Sequence, residues 1–183
     1  MKVLIPVAEG SEEMEVVIVA DTLRRARWPV VLAGLAGGAG AIRASRGVRL
    51  VPDAAWADIV PEDFEMLVIP GGAEGVAAMA QDERLLAAVR AFMAAGKWVA
   101  AICAGPLVLQ AAGVLAGRRA TCHPGVAGEL KQTPRLNDRV VADGRLITSQ
   151  APGTALEFAL ALVRAVEGER KANELAKAMV VAV

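Results

Sequence analysis

The sequence predicts an α/β fold of the doubly wound kind, a mostly parallel central sheet with helices on both faces. Two observations predict it. Short apolar runs alternate with longer segments of helical periodicity, and Gly or Pro marks most of the junctions between them. A third sets the scale: 183 residues, 55% of them hydrophobic, suffice to bury a core on each side of a sheet and suit a single domain spanning 1–183.

The elements follow in order. Lys2–Val7 has the length of a buried strand, and a Glu-Gly-Ser turn leads into a helical segment from about Glu12 to Ala26. Val30–Ala36 is strand-like, Gly37–Gly40 reads as a loop, and Val48–Val51 reads as a short strand. Met66–Ile69 is a buried strand stopped by Pro70-Gly71-Gly72. Within Asp82–Ala95 the residues Leu85, Val89, Phe92 and Met93 recur at helical spacing before Gly96 ends the helix. Trp98–Ile102 reads as a central strand and Gly105–Ala112 as a helix with Pro106 in its first turn. Arg119–Cys122 is a further strand, and Val140–Thr148 a hairpin turning at Asp143-Gly144. Thr154 and Glu157 have the spacing of a capping box for the next helix, whose apolar face runs from Ala155 to Val166. A last helix spans about Glu169–Met179.

Composition narrows the function classes. Acidic and basic residues balance at 20 each and Tyr is absent, which argues against nucleic acid as a partner. The apolar start is broken by Pro6 and followed by Glu9, Glu12 and Glu13, unlike a secretory signal. Trp98–Leu109 is too short to span a bilayer. A soluble cytoplasmic protein with no membrane role is expected, with both cysteines, Cys103 and Cys122, as thiols. Two Cys and one His are too few for a structural zinc site. The glycine run Gly34–Gly40 lacks the dinucleotide-binding spacing, and the turn after the first strand lacks a phosphate-loop pattern. Neither metal nor cofactor is expected.

Cys103 is the leading candidate for chemistry. Val99-Ala100-Ala101-Ile102 delivers it to the end of a buried strand, and Ala104-Gly105-Pro106 starts a helix at once, the arrangement of a nucleophile elbow. A helix N-terminus there favours a thiolate. The competing reading is an inert buried thiol. His123 is the one histidine, so cysteine–histidine chemistry would have to use it, though a lone His is more often structural. Glu15 belongs to the acidic stretch Glu12-Glu13-Met14-Glu15, whose bland reading is a solvated first helical turn. Spacing alone leaves both readings open.

Five motifs, in order, add a resemblance: Glu9-Gly-Ser-Glu-Glu-Met-Glu15, Ala44-Ser-Arg46, Val68-Ile-Pro-Gly-Gly72, Ala100-Ala-Ile-Cys-Ala-Gly-Pro106 and Thr148-Ser-Gln-Ala-Pro-Gly-Thr154. Through them the chain resembles the ThiJ/PfpI superfamily, in the branch of the Parkinson-disease protein DJ-one and bacterial ThiJ-like proteins. The resemblance implies a flavodoxin-like fold, a homodimer and an oxidation-sensitive cysteine. It implies Cys103 as nucleophile, Glu15 as the carboxyl bonded to its sulfur, and His123 close by. It also implies an oxyanion hole from the amides of Gly72 and Ala104 beside Gly71, with Arg46 and Pro152 at the substrate pocket. Three positions depart from the pattern: Ala104 stands where protease-like relatives carry His, Cys122 where a hydroxyl residue is common, and Ala151 where Gly is usual.

The function so implied is a cofactor-independent enzyme acting on reactive dicarbonyls, a glyoxalase III-type conversion of methylglyoxal to lactate, extending to deglycation of early glycation adducts. The rival is an oxidative-stress sensor or holding chaperone using an oxidisable cysteine. A hydrolase of small esters or peptides ranks below both, because the adjacent His is missing.

Overall fold

The computed structural model describes residues 1–35 and 40–181. Seven strands form one sheet in the order β5-β2-β1-β6-β7-β9-β8. They are β1 (Val3–Val7), β2 (Val30–Gly34), β5 (Ala54–Ala55), β6 (Met66–Ile69), β7 (Trp98–Ile102), β8 (Val140–Asp143) and β9 (Leu146–Ser149). All neighbours run parallel except β8, which returns antiparallel to β9 through the hairpin at Asp143-Gly144. The five long parallel strands follow the flavodoxin-like winding, with the chain reversing its direction of travel between β1 and β6. The crevice beyond their carboxyl ends is therefore where a ligand site is expected.

Strand periodicity sends alternate residues to opposite faces, and two cores result. Val3, Ile5, Met66, Val68, Ala100 and Ile102 face one core, covered by α1 (Glu13–Arg25), α5 (Ala155–Glu167) and α6 (Glu169–Ala178). Leu4, Leu67, Ile69, Val99 and Ala101 face the other, under α2 (Ala73–Met79), α3 (Glu83–Ala94) and α4 (Pro106–Ala111). Burial on both faces explains why these strands read as unbroken apolar runs.

Several expectations need correcting. Arg119–Cys122 does not form a strand: Ala120 makes one isolated bridge to Arg135, while the Thr148 hydroxyl accepts from the Thr121 amide and the Leu136 carbonyl accepts from the Thr121 hydroxyl. Side chains thus take up bonds a sheet neighbour would have made. Thr154 does not cap α5. Its hydroxyl donates back to the Ala151 carbonyl and accepts from the Gln150 and Ala151 amides, closing the 3-10 turn Pro152–Thr154, and Glu157 pairs instead with Arg139 at 2.6 Å. The strand expected over Val48–Val51 shrinks to β4 (Arg49–Leu50), paired antiparallel with β3 (Ile42–Arg43) in a separate two-stranded hairpin. The end of the second expected strand, at Ala36, and the glycines at 37 and 38 lie outside the described residues.

Candidate active site

The site is assembled at the switch between β1 and β6 by the first turn of α1, the loop after β6 and the elbow after β7. Cys103 takes a left-handed backbone conformation, φ +64°, which costs a non-glycine residue about 1–2 kcal/mol. Two backbone bonds hold it there: its amide donates to the Ser149 carbonyl at 3.0 Å, and its carbonyl accepts from the His123 amide at 2.8 Å. The backbone amides of Ala104 and Gly72 act on its sulfur in favour of the thiolate.

Glu15 is fully buried beneath this elbow. Its Oε2 accepts from the Gly71 amide at 2.7 Å, and Oε1 is buried with no hydrogen-bond partner among the described residues. A Cβ on Gly71 would lie 2.6 Å from the Cys103 Cβ, 2.7 Å from Glu15 Oε2 and 2.9 Å from the Cys103 sulfur, so no side chain fits between the two groups. Gly72 sits at φ +93°, where a Cβ would come within 2.1 Å of the Gly10 carbonyl.

Burial pushes the Glu15 carboxyl up to about 7, against the pull of the Gly71 amide and the thiol, with the Glu12 charge adding to the rise. Burial, then the charge and hydrogen bond of ionised Glu15, push the Cys103 thiol up to about 12, and the amides of Ala104 and Gly72 oppose them. The elbow thus does not lower the thiol by itself, because desolvation outweighs the amides. Carboxyl and thiol are a coupled pair, and the two values belong to the pair. Its first proton leaves near 7, the second leaves only when a dianion is forced into a desolvated site, and in between the pair holds one proton.

His123 borders the same cleft. Its Nδ1 accepts from the Gly125 amide at 3.0 Å, so a neutral ring carries its proton on Nε2. The cleft holds about 680 Å³, with Arg46, Gly72, Cys103, Ala104, His123 and Pro152 among its walls. The site residues that the resemblance implies therefore all lie in it, apart from Gly71 and Glu15, which are buried behind Cys103. Arg46 stands at the exposed rim, its amide fixed to Glu13 Oε1 at 2.9 Å. Cys122 turns away into the second core, fully buried.

Part of this site carries no signal in the sequence. Glu12 and Glu13 are not a solvated first turn: they are 7% and 6% exposed, because the β3–β4 hairpin folds over them and the Ser45 hydroxyl lies 3.0 Å from a carboxylate oxygen of each. Glu12 and Arg43 join the cleft wall. Helix α2 also went unread, since its apolar positions Ala73, Val76 and Met79 span under two turns and include Gly75. Among the described residues, no group of three or more His, Cys, Asp or Glu side chains is placed to hold a metal ion, and no helix is long and apolar enough to cross a membrane.

Known proteins share this architecture and sequence. The DJ-1/PfpI family matches residues 1–165. Protein dj-1beta of Drosophila melanogaster is 41% identical over 181 residues, covering 98% of this chain and 96% of the relative. The glutathione-independent glyoxalase DJR-1.2 of Caenorhabditis elegans is 37% identical, covering 98% and 95%. Protein DJ-1 homolog B of Arabidopsis thaliana is 41% identical over 98% of this chain, which spans only 41% of that protein's length. The crystal structure of Drosophila DJ-1beta superposes with a TM-score of 0.94 over 100% of this chain and 98% of that one, at 41% identity. Oxidised Toxoplasma gondii DJ-1 superposes with a TM-score of 0.94 over 100% and 99%, at 36% identity.

Proposed function

Because the chain belongs to the DJ-1/PfpI family, we propose that it is a cofactor-independent, cysteine-dependent enzyme acting on reactive dicarbonyls, converting methylglyoxal to lactate and extending to deglycation of early glycation adducts. The observation that carries this reading is the buried Glu15 carboxyl packed with the Cys103 sulfur, whose anion the amides of Gly72 and Ala104 favour. The name of the nematode relative, a glutathione-independent glyoxalase, supports the reaction class.

In the reactive form the single proton of the pair sits on Glu15. The amides of Gly72 and Ala104 favour the anion on sulfur, and an ionised carboxylate, which accepts from the Gly71 amide alone, would leave Oε1 buried and uncompensated. A protonated carboxyl also offers its O–H to the sulfur. The Cys103 thiolate adds to the aldehyde carbon, a C–S bond forms as the C=O π bond breaks, and the oxygen takes the proton held by Glu15 to give a hemithioacetal and a Glu15 carboxylate. Glu15 or His123 removes the proton from that carbon and returns one to the neighbouring carbonyl carbon, through an enediol. One carbon is oxidised as its neighbour is reduced, so no hydride carrier enters. The resulting 2-hydroxyacyl thioester is hydrolysed by water, releasing lactate and thiolate. The test is chelator-treated protein incubated with methylglyoxal: many equivalents of lactate per protein are expected, and consumption limited to one adduct per cysteine would overturn the proposal.

A second reading, an oxidative-stress sensor, is favoured by the contrast between the two thiols. Cys103 is partly exposed and Cys122 fully buried, and the similar Toxoplasma structure is of an oxidised protein. Mild peroxide is expected to add two oxygens to Cys103 before Cys122 changes, as read by mass spectrometry of separated peptides. Oxidation of Cys122 first would sink this reading. Family membership likewise grounds the proposals of a homodimer and a cytoplasmic location. Met14 and Val17, 52% and 49% exposed one turn apart on α1, suit a covered face. Light scattering is expected to give twice the chain mass at micromolar concentration, and a monomer there would count against the dimer.

A further inference from the structure

A groove of about 340 Å³ runs between α2 and α4, and it shares Ala73, Ala104 and Val126 with the cleft that holds Cys103. Its own walls are Val76, Ala77, Ala80 and Leu107, with Gln110 and Glu129 at the far end. The rest of the cleft is different in kind, with Glu9, Glu12, Glu74, Arg43 and Arg46 among its walls. A substrate carbon held at the Cys103 sulfur therefore lies in a charged cleft that adjoins an apolar groove. The cleft alone, about 680 Å³, is of the size that encloses a drug-sized ligand, far more than a three-carbon dicarbonyl fills.

Resting on the dicarbonyl reading above, we infer that the substrates this site prefers are 2-oxoaldehydes carrying an apolar substituent, which lies in the α2–α4 groove while the aldehyde meets Cys103. The chemistry is unchanged: R–CO–CHO gains water overall and leaves as R–CH(OH)–COOH, with R on the carbon that is reduced. Small side chains make the room. Ala73 and Ala77 recur along one face of α2, Ala80 follows at its end, and Ala104 lines both the groove and the cleft. An apolar R in such a groove is worth about tenfold or more in kcat/KM.

The test compares phenylglyoxal with methylglyoxal in the wild type and in Ala77→Phe. Ala77 is exposed on α2, so the variant fills the groove without entering either core. Wild type is expected to favour phenylglyoxal by about tenfold in kcat/KM, and Ala77→Phe to lose that preference while methylglyoxal turnover stays within about twofold. Equal efficiency on both substrates in the wild type, or a variant that lowers both alike, would overturn the inference and leave the dicarbonyl reading standing. If neither substrate turns over, that reading fails, and the groove is still tested by alkylation of Cys103. Iodoacetanilide is then expected to outpace iodoacetamide in the wild type by more than in Ala77→Phe, and an unchanged rate ratio would overturn the groove assignment.

Discussion

Cys103→Ala is expected to abolish dicarbonyl turnover, a loss on the order of a thousandfold or more, whereas Cys122→Ser keeps most of it. Only Cys103 stands at the strained turn where two amides favour the anion on its sulfur. Cys122 faces the second core, and its sulfur approaches the His123 carbonyl at 3.5 Å, a contact that a serine hydroxyl can take over. The serine variant should therefore lose about 1 kcal/mol of stability and little activity. Steady-state rates on methylglyoxal for the two variants decide it. Equal losses in both would mean that Cys103 is not the nucleophile.

Glu15→Gln is expected to lower turnover by roughly a hundredfold to ten-thousandfold and yet to stabilise the fold at neutral pH. In the unfolded chain the carboxyl ionises near its ordinary 4.5, while in the native state burial keeps both protons on the carboxyl–thiol pair up to about 7. A raised pKa contributes stability that is whole below 4.5 and is lost as pH rises through 7, a loss of about 3 kcal/mol for a shift of this size. Gln has no proton to lose, so the variant's stability relative to wild type should climb by about that amount between pH 4.5 and 8. It keeps an acceptor for the Gly71 amide but cannot return a proton to substrate. Urea unfolding at several pH values gives the result, and a stability difference independent of pH would contradict the buried, proton-holding carboxyl.

Much of the fold was legible because its strands are buried on both faces, so that Met66–Ile69 and Trp98–Ile102 read as apolar runs with the bounds they have. What failed were elements defined by contacts distant in sequence. The Thr148 hydroxyl and Leu136 carbonyl claim Arg119–Cys122 through bonds that no local pattern signals, whereas Thr154 is taken up within its own turn, by Ser149 and Ala151. The same holds for the site. Cys103 announced itself by its place between strand and helix, whereas Glu15 could not be told from its neighbours. On a helix it differs from Glu12 and Glu13 only in lying under the β6 and β7 loops, where Gly71 meets it. Resemblance supplied that pairing. Burial of Glu12 and Glu13 needed the β3–β4 hairpin, which folds back from residues more than thirty positions away.

The central claim is that Glu15 and Cys103 share one proton at neutral pH, with the proton on the carboxyl and the charge on sulfur. The ultraviolet absorbance of the thiolate against pH, with Cys103→Ala as the blank, tests it most directly. The Cys103 thiolate signal is expected to appear with the first ionisation of the pair and to move upward in Glu15→Leu, which has no O–H to offer the sulfur. A signal that appears only with the second ionisation, near 12, would place the charge on Glu15 and leave the proposed nucleophile a resting thiol.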